Sequence, residues 1–196
     1  NQIGVRLGGP IIQDELFFFT SFENDALVQL GTTFLANTGG QTVGGNITRV
    51  LETDLTTLSS FLKTNFGYET GPYQGYDHEI PALRLLAKLD YNMDDENKFT
   101  LRYVHLNSIT DVLASNSNSL GFGNRQSRTD ALNFRNSNYQ ITENIRSVVG
   151  EWNTIIGNTM SNNLIVGYSY SDESRKSRGE FFPFVDILSS GTTYTS

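Results

Sequence analysis

The chain has 196 residues, a formal net charge of −7, no cysteine, and 37% hydrophobic residues. No run of 18 apolar residues occurs, which excludes a transmembrane helix, and the lack of cysteine excludes disulfide staples, thiolate zinc sites and a cysteine nucleophile. With 21 Asp+Glu against 14 Lys+Arg, a surface for nucleic-acid phosphates is disfavoured.

Charged residues reach only 18%, while 18 Gly, 9 Tyr and 13 Phe accompany many small polar residues. That balance suits strands with lipid on one side and water on the other, and it equally suits a secreted β-sandwich or adhesin. No basic, apolar signal segment opens the sequence, so such a segment is expected to have been removed or to precede residue 1.

Six strands are predicted. The first covers residues 1–8 and passes through the turn Gly9-Pro10-Ile11-Ile12-Gln13-Asp14 into the second, 15–25, which carries Leu16-Phe17-Phe18-Phe19 near its start. A long connection, 26–81, follows. It contains the linker-like stretch Gly39-Gly40-Gln41-Thr42-Val43-Gly44-Gly45. Leu51, Leu55, Leu58 and Leu62 then recur at helical spacing, which predicts a helix over 49–65 stopped by Gly67. The next stretch, 67–76, is rich in Tyr and Gly. Its rings Tyr68, Tyr73 and Tyr76 read either as a ligand-facing surface that stacks on sugars or peptides, or as a packed irregular loop.

The third strand, 82–92, turns through Met93-Asp94-Asp95-Glu96-Asn97 into the fourth, 98–108. A second long connection, 109–137, leads to the fifth strand, 138–156. The turn Gly157-Asn158-Thr159-Met160-Ser161-Asn162 leads to the sixth, 163–174, and the tail from Arg175 reads as loop. Short and long connections therefore alternate strictly. A soluble meander has no reason to place every long loop at one end, whereas an outer-membrane barrel does.

Period-two patterning supports half-buried strands. Leu83, Leu85, Ala87, Leu89 and Tyr91 share one face of the third strand, opposite Arg84, Lys88, Asp90 and Asn92, with Leu86 the exception. Phe99, Leu101, Tyr103 and His105 oppose Lys98, Thr100, Arg102 and Val104 on the fourth. Leu164, Val166, Tyr168 and Tyr170 oppose Ile165, Gly167, Ser169 and Ser171 on the sixth. The fifth settles on neither face. Arg84, Lys88, Asp90 and Arg102 are the lumen-facing candidates, either solvated wall residues or contacts to a plug. Aromatics near strand ends, including Phe17, Phe18, Tyr91 and Phe99, fit an interfacial girdle or ordinary β-propensity.

Motifs for chemistry are incomplete. Ser60-Phe61-Leu62-Lys63 matches S-x-x-K without its S-D-N and K-T-G companions. Asp90-x-Asn92-x-Asp94 opens like a calcium loop but lacks its glycine and closing glutamate. His78 and His105 share no ligand spacing. No nucleophile, base and orienting group assemble, so no enzyme, metal or cofactor is expected.

Several stretches resemble one family. Arg6-Leu7-Gly8-Gly9-Pro10-Ile11-Ile12-Gln13-Asp14-Glu15-Leu16-Phe17-Phe18-Phe19 is similar to the "GGPI-x-KDKLFFF" turn and strand of TonB-dependent outer-membrane receptors, with Gln13 and Glu15 where lysines are common. The similarity is to the Oar-like branch, whose members carry a carboxypeptidase-regulatory-like domain. Phe66-Gly67-Tyr68-Glu69-Thr70-Gly71 resembles its "YGYDPG" segment. Leu86-Ala87-Lys88-Leu89-Asp90-Tyr91-Asn92 with Lys98-Phe99-Thr100-Leu101-Arg102-Tyr103 resembles its "KLDWNIN…HKLTLRY" hairpin, and Asn162-Asn163-Leu164-Ile165-Val166-Gly167-Tyr168 its "NELRVGY" strand.

The resemblance implies an all-β fold: an antiparallel transmembrane barrel of the 22-stranded type with a plugged lumen and long extracellular loops, one of them containing a short helix. Residues 1–196 would be about six strands of it, a fragment, because six strands cannot close such a barrel. It also implies residence in the outer membrane of a Gram-negative bacterium. Import would be coupled to the TonB complex through a plug outside this chain. Implied partners are outer-membrane lipid and, over the barrel mouth, room for a surface lipoprotein.

Overall fold

The computed structural model describes residues 1–114 and 125–196; the predicted connection 109–137 therefore lies partly outside the described residues. The described residues are mostly antiparallel β-sheet with one α-helix. Among them ten strands follow in order: β1 (Gln2–Ile12), β2 (Leu16–Leu30), β3 (Leu35–Asn37), β4 (Ile47–Leu51), β5 (Asp77–Asn92), β6 (Asn97–Val112), β7 (Tyr139–Ile156), β8 (Met160–Ser177), β9 (Ile187–Ser189) and β10 (Thr192–Thr195). The helix α1 spans Glu52–Phe66. The sheet orders β1-β2-β5-β6-β7-β8 as a six-stranded meander, and β9–β10 and β3–β4 form two small sheets, the latter parallel.

The six predicted strands are the six of the meander; five are longer than the sequence suggested, and β7 matches its predicted span to within one residue. β7 and β8 have 18 residues each, about 60 Å at ~3.3 Å per residue, where a tilted membrane-crossing strand needs about 9–11 residues. The tail predicted as loop from Arg175 instead continues β8 to Ser177 and later forms β9 and β10. The helix begins three residues late. Arg49, Val50 and Leu51 belong to β4, where pairing with β3 and burial of Val50 outweigh helical spacing. Its end is as expected: Gly67 adopts φ 68°, and Tyr68 N–H reaches back to Leu62 O (3.3 Å), closing a Schellman-type cap.

By its contacts the chain divides into two units. The first comprises Asn1–Leu27, Ile80–Ile109 and Thr142–Ser174; the second comprises Val28–Glu79, Thr110–Ile141 and Arg175–Ser196.

In the first unit the tight turns sit side by side. Asn92 N–H donates to Glu15 O (2.7 Å) and Ile155 N–H to Glu96 O (2.8 Å), so the turns at 13–15, 93–96 and 157–159 share one end of the sheet. Asp94 closes its turn by accepting the N–H groups of Glu96 (2.9 Å) and Asn97 (2.7 Å). Gly157 supplies the positive φ of its own turn.

The β5–β6 register sets Leu85 opposite His105, Ala87 opposite Tyr103, Leu89 opposite Leu101 and Tyr91 opposite Phe99. Directly opposed residues of an antiparallel pair point to the same face, so the predicted apolar face is one surface across both strands. Leu86 pairs with Val104 on the other face, which is why it broke the alternation. On β1 and β2, Leu7, Val5 and Ile3 oppose Thr20, Phe22 and Asn24. β7, which no periodicity could assign, joins through cross-strand contacts. Trp152 stacks on Phe99 (5.6 Å between centroids, 11° between planes), whereas Val149 lies against Gly167 on the opposite face. The apolar face is uncovered: Leu101 is 50% exposed, Val166 66% and Tyr168 71%.

The second unit has a core of its own. Ala36, Val50, Leu55, Leu132 and Phe134 are buried, with Phe34, Leu58, Tyr73 and Tyr194 packed around them. Leu55 and Leu132 are fully enclosed, and each such side chain contributes about 1.5–3 kcal/mol relative to exposure. Arg49 ties the periphery, donating to Asp130 O (2.8 Å), Ser189 O (2.9 Å) and Thr192 Oγ1 (2.8 Å) while covering the Tyr194 ring.

Candidate functional site

Two regions carry the polar chemistry, one in each unit. In the first unit it is the sheet face opposite the leucines. All four lumen-facing candidates from the sequence lie there. Lys88 pairs with Arg102 and Asp90 with Thr100 across the β5–β6 ladder. Like charges directly opposed are unfavourable, and acidic neighbours offset them. Lys88 Nζ contacts Asp90 Oδ1 at 2.9 Å, and Thr100 Oγ1 donates to the same oxygen at 2.7 Å. Glu151 of β7 lies within electrostatic reach of Arg102 and Lys88. Its Oε1 accepts from Asn153 Nδ2 (2.9 Å) and Asn163 Nδ2 (2.7 Å). Arg84 bridges Glu23 (2.7 Å) and Asp25 of β2.

The face is thus a ladder of compensated ion pairs and amides across five strands, β2 and β5 to β8. Glu23, Asp25 and Glu151 were not singled out in the sequence, because only the register brings them beside the cations. These pairs are partly exposed, so each contributes little stability. What they provide is a hydrophilic, charge-balanced wall.

In the second unit the tyrosines predicted as ligand candidates are packed. Tyr76 is 5% exposed and its hydroxyl accepts from Asn138 Nδ2 (3.2 Å). Burial raises its pKa, with Asn138 and Arg135 pulling the other way. Tyr73 meets Phe134 edge-on and its hydroxyl donates to Glu52 Oε1 (3.3 Å); burial first, then Glu52, raises its pKa. Tyr68 stacks on Phe182 at 4.4 Å, and burial and then Glu180 raise its pKa. Tyr68 and Tyr73 stay partly exposed at the edges of this packing.

The densest polar network of this unit centres on Asp111. Its Oδ1 accepts from Arg178 Nε (2.9 Å) and Gln140 Nε2 (2.9 Å), and its Oδ2 from Arg178 Nη2 and the Glu79 amide (3.0 Å). Its side chain is 1% exposed. Burial alone would raise its pKa, but Arg178, the Glu79 amide and Gln140 outweigh that and hold the carboxyl below the usual carboxylate range. His78 lies nearby, with Nε2 3.3 Å from Asn138 Nδ2. Burial lowers its pKa; Asp111 opposes this and Arg178 and Arg135 reinforce it. The carboxylate therefore joins the roots of three separate connections, at Glu79, at Gln140 and at Arg178. Sequence reasoning missed it, since lone residues at 111, 140 and 178 form no local pattern.

The remaining motifs can be placed residue by residue. Ser60 is exposed on α1, and Lys63 contacts Glu69 (2.7 Å) instead of Ser60. His105 Nδ1 lies 3.1 Å from the Tyr103 hydroxyl. Among the described residues no cluster of three His, Asp or Glu side chains gathers to hold a metal. No described helix is long and apolar enough to cross a membrane. No family model, curated protein or solved structure matches the chain.

Proposed function

We propose that this chain is a section of the transmembrane barrel of an outer-membrane transporter of the TonB-dependent type. The observation that carries the reading is the two-sidedness of an uncovered single-layer sheet. Leucine, valine and aromatic side chains cover one face, and balanced charges and amides cover the other, with the tight turns at one end. An antiparallel sheet in water does not leave such a face open, whereas hydrocarbon would satisfy it and an aqueous lumen would satisfy the other.

The Tyr91–Phe99–Trp152 stack lies beside the tight turns, and the Trp152 indole N–H donates to Asn97 Oδ1 (3.1 Å). An apolar ring body with a polar tip suits the headgroup level of the periplasmic leaflet. Among the described residues β1 and β8 end the sheet with open edges, and lipid does not tolerate those, so further strands would complete the wall. The second unit, built from the long connections, would face the exterior and meet the substrate. Charged residues such as Arg84, Lys88, Asp90 and Arg102 would line the path or touch the plug. The cycle is selective binding followed by plug movement, without covalent chemistry.

The test uses the complete gene product in a Gram-negative host. The account expects it in the outer-membrane fraction and in a complex with the periplasmic domain of TonB. A protein that dissolves without detergent as a folded monomer overturns the membrane reading. An outer-membrane protein that never engages TonB is instead a passive or structural barrel, such as an adhesin or a secretion scaffold.

A further inference from the structure

Within the second unit a cleft of about 80 Å³ opens between Leu58 and Leu62 of α1, the Phe134 ring, and Phe182, Pro183 and Ile187 of the tail. The rim is held by aromatic contacts: Tyr68 stacks on Phe182, and Phe66 meets Phe182 edge-on at 5.8 Å. Beside it Phe181 is wholly exposed and Phe184 and Val185 about half exposed. Exposed apolar surface of this density marks a contact site.

Four serine and threonine residues line the cleft, and the Ser196 hydroxyl donates to Asp186 Oδ1 (2.7 Å). Thr70 Oγ1 is engaged with Ser59 Oγ (2.8 Å) and Gly71 O (3.1 Å), and Ser137 Oγ with Phe134 O and Ser196 O (both 2.6 Å). Thr195 is different. It is 2% exposed and its Oγ1 has no hydrogen-bond partner among the described residues. A buried hydroxyl without a partner is a standing cost that a ligand with one polar group can remove.

We infer that this cleft takes one apolar side chain of a peptide or protein ligand, with Thr195 Oγ1 hydrogen-bonding to the ligand's main chain. Three observations select that class. The volume is about half that of the ~150 Å³ cavity known to admit benzene, so it suits a leucine- or valine-sized group and not a chelate. A sugar ring would bring several hydroxyls to a lining that is mostly apolar. A lipid acyl chain would leave Thr195 unpartnered, whereas a peptide supplies the apolar group and an amide together. The inference deepens the transport reading, on which it rests only for treating the ligand as cargo.

The test is saturation-transfer NMR on the full-length protein in lipid nanodiscs, with N-acetyl-L-leucinamide and methyl β-glucoside as probes. The leucine methyl groups are expected to receive saturation and the glucoside none. Leu62→Trp, which fills the cleft, should abolish the transfer. Thr195→Val, which keeps the shape and removes the hydroxyl, should weaken leucinamide about fivefold. No transfer to leucinamide, transfer that survives both variants, or preferential transfer to the glucoside would overturn the inference. None of these outcomes depends on TonB binding or on lipid contact by the sheet, so failure here and failure of the transport reading are separate results.

Discussion

Replacing Asp111 by Asn probes the network at the roots of the long connections. Every group facing the two carboxylate oxygens is a donor: Arg178 Nε and Gln140 Nε2 at Oδ1, Arg178 Nη2 and the Glu79 N–H at Oδ2. An amide placed there points its own –NH2 at one of these pairs. Gln140 can turn its carbonyl around to answer, but Arg178 cannot, and its guanidinium loses the opposing charge. Breaking a buried ion pair by removing one partner costs about 3–5 kcal/mol. Arg178 is 20% exposed and recovers some hydration, which puts the expected loss near the lower end, about 3 kcal/mol. At about 1.4 kcal/mol per tenfold, Glu79 amide exchange should quicken by roughly two orders of magnitude, provided exchange follows local opening. Hydrogen exchange over residues 77–81, read by mass spectrometry on the full-length protein, measures this directly. Protection of Glu79 within about threefold of the unsubstituted protein would refute the assignment of Asp111 as the clasp.

The same network fixes a pH response. The folded pKa of Asp111 is depressed, so its contribution is present above the ordinary carboxylate value of about 3.9 and is lost as pH falls through its own lower value. The folded pKa of His78 is also depressed. The unfolded second unit therefore binds a proton below about pH 6.5 that the folded one resists, and stability declines from neutrality downward. Exchange protection in residues 70–79 should fall between pH 7 and pH 5, and His78→Gln should remove that part of the decline without altering the acid limb set by Asp111. Gly31→Ala should displace Tyr76, because a Cβ there would lie 2.1 Å from the ring. The substitution should also break the Gly31 N–H to Tyr76 O bond (2.9 Å). A thermal midpoint for loss of near-ultraviolet tyrosine signal that matches the unsubstituted protein would contradict this packing.

The hairpins were legible because their signals are local. Asp94 and Gly157 punctuate period-two segments, and Gly67 marks the helix end through a left-handed backbone that few other residues adopt, whereas Gly9 and Pro10, read as the first turn, pair with Phe18 and Phe17 inside β1 and the turn falls at 13–15, where Asp14 takes the positive φ. What was not legible depends on partners distant in sequence. Val148, Val149 and Trp152 gave no face to β7, since Phe99 and Gly167 on neighbouring strands decide which side each occupies. Leu51 opens the helical spacing yet belongs to a strand, because β3 offers a parallel partner and the core encloses its neighbour Val50. On the ionic face Arg84, Lys88, Asp90 and Arg102 were found by alternation, but Glu23, Asp25 and Glu151, which balance them, become neighbours only through register. The Asp111 clasp and the Thr195 cleft join residues from separate connections, and no window along the chain contains them.

The central claim is that hydrocarbon touches the leucine side of the sheet. This chain has no cysteine of its own, so single cysteines can be placed at 98 through 103 on β6 of the full-length protein and labelled with an environment-sensitive fluorophore. The protein is then incorporated into bilayers containing brominated lipid. The account predicts strong quenching at positions 99, 101 and 103 and little at 98, 100 and 102. Quenching without that alternation, or confined to the positions of Lys98, Thr100 and Arg102, would contradict it.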